Sequence, residues 1–120
     1  MTSISGAAFH GCAALTDITL PQNLEIIGGG AFRECGLESI VLPENVREIG
    51  LSAFYGCQNL KSVSIPVSME VIGADAFTGC GSLTLVAYGG SAEMWQSISI
   101  DSTNEVLSGL SSSVTVQFSE

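Results

Sequence analysis

The sequence predicts a solenoid of about four 22–23-residue rungs, with parallel strands stacked on one face and short strands and helical turns elsewhere. Three observations predict it. First, Phe recurs at 9, 32, 54 and 77 and Cys at 12, 35, 57 and 80, both stepping by 23, 22 and 23. Pro21, Pro43 and Pro66 keep the step, as do Gly28, Gly50 and Gly73, and an Ala precedes every one of those Phe residues. A fixed period in this range marks stacked units, none of which can bury its apolar face alone. Second, each unit contains a short run of period two, the mark of a strand with one face buried. Third, 46% of the 120 residues are apolar and 12% are charged, enough for the core of a single domain.

The unit is clearest from Ile49. Ile49-Gly50 leads into Ala53-Phe54-x-Gly56-Cys57, which reads as a helical turn, with Gly11, Gly56 and Gly79 supplying its positive φ. Leu60-x-x-Val63-x-Ile65 follows as the strand, and Pro66 closes it because proline cannot donate the next ladder bond. A second apolar stretch, Met69 to Ile72, ends at Gly73. The second rung departs from this pattern. Glu34 stands before Cys35 where the other rungs have glycine, and the special glycine is expected to have moved to Gly36.

Ile4 stands five residues before Phe9, as Ile27 stands before Phe32. The first rung is therefore expected to be truncated, the chain a piece of a longer array, and Met1 an added initiator. Rungs are expected over 1–88 and a C-terminal cap over 89–120, the two forming one folded unit. Ser91 suits a helix N-cap, and Glu93 complements the helix dipole. Met94, Trp95 and Ile98 are expected to form one apolar helix face, with Trp95 as a plug over the last rung. Asp101 to Asn104 reads as a polar link before Leu107 and Leu110. Val114, Val116 and Phe118 alternate with Thr115 and Gln117 as a strand.

The run Ile-Gly-x-x-Ala-Phe-x-Gly-Cys-x-x-Leu-x-x-Ile-x-Ile-Pro resembles the BspA-like leucine-rich repeats of bacterial surface antigens, over residues 4–88. Residues 88–118 look like the cap that often follows such arrays. The resemblance implies a leucine-rich-repeat solenoid from a secreted or cell-surface protein of a host-associated bacterium, in some members adhesive. It implies no catalytic residue.

The residues themselves offer little chemistry. Three basic against twelve acidic residues give a net charge of −9, which argues against nucleic acid or an anionic membrane as partner. No apolar run reaches the ~18 residues of a membrane span. The four Cys occupy one repeat position and are expected to stack as a row of buried, reduced thiols. Neighbouring strands lie ~4.8 Å apart, a poor match to the ~3.8 Å between bridged Cβ atoms, and four thiolates in line cannot form a tetrahedral zinc site. His10 falls where other rungs have Arg33, Tyr55 and Thr78, an exposed and unconstrained position. No hydrolase elbow, phosphate loop or zinc-protease motif occurs. Glu25, Arg47 and Glu70 share a repeat position and are expected to form a charge ladder.

What remains is the strand face. Its outward positions are Asp17 and Thr19, Ser39 and Val41, Ser62 and Ser64, and Leu85 and Ala87. These side chains are small and lack the aromatic and Arg anchors of protein hot spots. The expected function is a non-catalytic interaction or adhesion module of a bacterial cell-surface or secreted protein, its partner a host or bacterial surface protein. Signal and anchor are expected outside this stretch, and no cofactor, metal or catalytic residue is expected. A purely structural spacer or cap segment, or a recognition domain appended to a secreted enzyme, remain as alternatives.

Overall fold

The computed structural model describes residues 2–104, 107 and 114–119; Met1 and Leu110 lie outside them. The chain forms two all-parallel sheets. One runs β1 (Thr2–Ile4), β2 (Leu24–Ile27), β4 (Glu48–Ile49), β6 (Val71–Ile72) and β8 (Ser99–Ile100). The other runs β3 (Ser39–Val41), β5 (Ser62–Ile65), β7 (Leu85–Tyr88) and β9 (Thr115–Phe118). Each strand pairs with its equivalent one turn away, so the chain winds as the expected solenoid.

Residues of one repeat position stand in columns between the sheets. Ile40, Val63, Val86 and Val116 are in register, as are Ile27, Ile49, Ile72 and Ile100. The Phe column is continuous: Phe9, Phe32, Phe54 and Phe77 stack nearly parallel, with ring centroids 5.2, 5.4 and 5.2 Å apart. Phe32, Phe54 and Phe77 are fully buried, whereas Phe9, at the first turn, is half-buried. Identical side chains at the ~4.8 Å strand repeat must meet their own kind, which is why the period survives in the sequence.

The two sides of each turn donate in opposite directions. On the sheet side, Gly28, Gly50 and Gly73 N–H groups donate back to Ile4, Ile27 and Ile49 carbonyls at 2.8–2.9 Å. On the other side the helical turns expected at Ala-Phe-x-Gly-Cys are hydrogen-bonded turns rather than helix, and Phe9, Phe32 and Phe54 N–H groups donate forward to Ala31, Ala53 and Ala76 carbonyls at 2.7–2.8 Å.

Gly11, Gly56 and Gly79 have positive φ as expected, but Gly36 does not take over that role. Glu34 itself adopts the left-handed conformation, φ 58°, so the second rung keeps the same turn. Gly36 serves close approach instead: a Cβ there would lie 2.0 Å from the Ala13 carbonyl oxygen.

Residues 16–20, the expected first strand of the face, form no strand; Glu38 N–H bonds Thr16 O at 3.0 Å alongside. The segment has a turn on one side only among the described residues, and its inward residue Ile18 is half-buried rather than sealed. Beyond Tyr88 the side-chain pattern lapses, yet the chain adds a strand to each sheet. The strand expected at 114–118 is β9, whereas β8 left no sequence signal. The helix is a single turn, α1 (Ala92–Trp95), with Ser91 Oγ accepting from Met94 N–H at 3.3 Å. The expected apolar helix face is not formed. Ile98 lies past the helix and is buried, while Met94 faces outward.

Candidate functional site

Strands β3, β5, β7 and β9 set two rows of outward side chains. Ser39, Ser62, Leu85 and Thr115 form one; Val41, Ser64, Ala87 and Gln117 form the other. Ser39 and Val41 are exposed, Val41 at 67%, while Ser62, Ser64, Leu85 and Ala87 are half-buried by their neighbours. Asp17 and Thr19 are exposed but sit on the non-strand segment, beside a shallow groove of about 200 Å³ shared with Ser39 and Val41. Thr115 and Gln117 extend both rows by one strand. Their alternation with Val114, Val116 and Phe118 carried that signal, but the departure of the tail from the repeat hid the equivalence. The six strand residues from Ser39 to Ala87 carry no charge.

The thiols form the row expected of them. Cys35, Cys57 and Cys80 are buried, Cys12 is half-buried, and all four are free. Each of the three buried Sγ atoms lies against the carbonyl of the Phe one rung back: Cys35 on Phe9 at 2.8 Å, Cys57 on Phe32 at 3.1 Å, Cys80 on Phe54 at 3.2 Å. Burial pushes the Cys57 thiol up to about 11 and that of Cys80 to about 12. These groups are protonated donors, not nucleophiles. Among the described residues no three His, Cys, Asp or Glu side chains gather as a metal site.

On the opposite, outer face, His10 Nε2 stands 3.2 Å from Glu34 Oε1, and the Arg33 guanidinium lies 4.5 Å over the Tyr55 ring. On the second strand side Arg47 Nε is 3.6 Å from Glu25 Oε1, and the Glu70 N–H donates to the Arg47 carbonyl.

A third group was missed by sequence reasoning. Phe77 has no Ala carbonyl ahead of it; its N–H donates to Asn104 Oδ1 at 2.9 Å. Asn104 Nδ2 donates to the carbonyls of Gly73 and Asp101 at 2.9 and 3.1 Å. A donor on one side and two acceptors on the other fix the orientation of this buried amide. Two positions before Phe77, Asp75 N–H donates to Thr103 Oγ1 at 2.7 Å, where Ser52 donates to the Ala74 carbonyl. Thr103 is held by Asp101 Oδ1, which accepts from its N–H and hydroxyl at 3.0 and 2.7 Å and whose carboxyl is held below the usual range by those bonds. Side chains thus replace the carbonyls of a further turn. A residue that imitates backbone has no repeat partner, so no periodicity could reveal it.

Parallel ladders, stacked Phe and an uncharged strand face define a leucine-rich-repeat solenoid. The profile of the BspA type leucine rich repeat region, in six copies, matches residues 1–106, and the chain belongs to that family. No curated protein matches it. Among solved structures it is similar to a leucine-rich repeat protein from Bacteroides ovatus, at 31% identity and TM-score 0.75 over 99% of this chain and 28% of that one. It is also similar to a leucine rich cell surface protein from Faecalibacterium prausnitzii, at 30% identity and TM-score 0.72 over 82% and 29%. The T. pallidum leucine rich repeat protein matches at 29% identity and TM-score 0.55, over 72% and 52%. The chain spans less than a third of the length of the first two. The family is typically non-enzymatic, and its repeats generally serve as protein-interaction or surface modules.

Proposed function

We infer that this chain is a non-catalytic adhesion or protein-interaction module at the surface of a bacterium or secreted from it, contacting a host or bacterial surface protein through its strand face. The carrying observation is the pair of uncharged rows running unbroken across β3, β5, β7 and β9. Small side chains on a rigid stack present backbone-spaced hydroxyls and methyls to a flat partner without an ordering cost. Residues 89–120 act as the C-terminal cap, a role supported by Asn104 and Thr103 filling the positions of absent carbonyls.

The test is binding of the purified chain to an array of extracellular protein domains. Ser62→Arg and Ala87→Arg should abolish the signal, and Arg33→Ala on the outer face should leave it intact. Binding that survives both strand-face substitutions would overturn this reading. A spacer role is favoured by one specific observation, the absence of aromatic or Arg residues from the rows. It predicts no partner on any array and no effect of either substitution beyond stability.

A further inference from the structure

Among the described residues Lys61 is the one Lys or Arg without an ion pair. Arg33 Nε lies 3.8 Å from Glu34 Oε1, and Arg47 Nε lies 3.6 Å from Glu25 Oε1. Lys61 is exposed at the head of β5, and Glu38 is exposed at the head of β3, one rung earlier. The Lys61 N–H donates to the Glu38 carbonyl at 2.8 Å. A base and an acid therefore share one repeat position on neighbouring strands, at the rim of the uncharged rows. The rows are uneven in height beside them. Val41 is 67% exposed, whereas Ser64, its register partner on β5, is small and half-buried.

A partner that meets every rung needs side chains at the ~4.8 Å strand repeat. A helix, rising about 5.4 Å per turn, does not supply them, and a second sheet of parallel strands does. Aligned sheets pack face to face about 10 Å apart, with strand directions within about 30° of each other. A chain of net charge −9 repels its own copy least where charge is absent, and the rows are such a place. Consider a two-fold axis along the strands, set between β3 and β5. It keeps strand direction and reverses the order of rungs. Each Glu38 then faces Lys61 of the copy, each exposed Val41 faces the small Ser64, Ser39 faces Ser62, and Ala87 faces Thr19. Leu85 falls opposite Asp17, a mismatch that holds the affinity down. An axis over β5 would instead set Lys61 against itself.

We propose that the strand face pairs with a second copy of this chain, face to face about the axis between β3 and β5. The proposal rests on the strand-face reading above and names its partner, since a copy of a bacterial surface protein is itself one. The contact is isologous, so one complementary pair of positions is used twice. Four strands ~4.8 Å apart give each copy a face well below the roughly 800 Å² per partner of a stable interface, so the dimer is weak and exchanges with monomer.

The test is sedimentation equilibrium of the purified chain up to about 1 mM, the range of weak association. Expected is a monomer–dimer equilibrium that weakens with added salt. Ser64→Arg, which fills the space opposite Val41, should abolish it. Leu51→Ser, at a 61% exposed position in the turn after β4, should leave it unchanged. Glu38→Lys and Lys61→Glu each oppose like charges across the axis and should each weaken dimerisation by about tenfold. An equimolar mixture of these two variants should restore association, because one carries two cations at the rim and the other two acids. Net charge alone predicts otherwise, since Glu38→Lys makes the chain less negative and would strengthen association. A chain that stays monomeric overturns the proposal. If that monomer still binds a foreign domain on the array and loses it in Ser62→Arg, the strand-face reading stands; if it binds nothing, both fall. Association that survives Ser64→Arg, vanishes in Leu51→Ser or is not restored by the mixture also overturns the proposal.

Discussion

The Cys80 thiol lies 3.2 Å from the carbonyl oxygen of Phe54, a residue one full turn earlier in the stack. The same contact repeats at Cys57 and Cys35, so the cysteine column stitches each turn to the one before it. A thiol is a weak donor, and here it adds a second bond to a carbonyl that already accepts the N–H of the Cys in its own turn.

Thiol titration of the unfolded, non-reduced protein should therefore count four free cysteines. In the native state Cys12 should react first and Cys57 and Cys80 last, following their burial. Two or fewer free thiols after unfolding would refute the row. The raised thiol values also set a pH dependence. Above about 9 an unfolded chain releases thiol protons that folded Cys57 and Cys80 retain up to about 11 and about 12. The unfolded state then binds fewer protons, so stability should decline as pH rises through that window. Cys80→Ala should reduce the alkaline slope measured by denaturant unfolding at stepped pH.

Phe54 sits between Phe32 and Phe77 and is fully buried. Phe54→Ala should cost roughly 3–5 kcal/mol in urea unfolding. A loss below ~1 kcal/mol would show that the column does not carry the core.

The Arg47–Glu25 pair at 3.6 Å is half-exposed, and such pairs contribute ~0.2–1 kcal/mol. Arg47→Glu replaces an attraction by repulsion beside Glu25. It should lower stability more at low than at high ionic strength. An effect independent of salt would remove the electrostatic explanation.

Asn104→Ala leaves the buried Phe77 N–H without its acceptor, a loss of about 1–3 kcal/mol. Asn104→Asp should not rescue it, because a carboxylate cannot donate to the Gly73 and Asp101 carbonyls. Hydrogen exchange at Phe77 should accelerate in Asn104→Ala; unchanged exchange there would mean that the amide is protected by something else.

Glu34→Gly should stabilise the second rung by about 1 kcal/mol, since a left-handed conformation costs a side-chain-bearing residue that much. Gly36→Ala should do the opposite, by about 1–3 kcal/mol, because its Cβ meets the Ala13 carbonyl. Thermal unfolding of the two variants should shift in opposite directions. A shift in the same direction would contradict the assigned geometry.

The stacked columns were legible because a side chain that meets its own copy must recur at each turn; Phe54, Cys57 and Val63 could be placed on those grounds alone. Backbone conformation was less legible. Ala7, Ser52 and Asp75 adopt φ between 56 and 59° at the position of Gly30, and no glycine announces them. The strand β8 was hidden because Ile100 follows Ile72 by 28 residues rather than 22 or 23. The rows of the candidate face were readable from alternation at β5 and β7. Asp17 and Thr19 fail to join them because a strand needs a ladder as well as a pattern, and Thr115 and Gln117 join them across an irregular link.

Every turn between Ile27 and Phe77 presents ahead the same donors that it meets behind with carbonyls. A turn is therefore an exchangeable cassette: duplicated or deleted in frame, it leaves no backbone group unmatched. Recombination between equivalent positions can change copy number at little cost in stability, and with it the length of the strand face. Asn104 is outside that freedom. Its amide reads Gly73 and Phe77 at once, so it works only directly after a turn of this pattern. Array length is thus evolutionarily adjustable, while the junction at Asn104 is fixed.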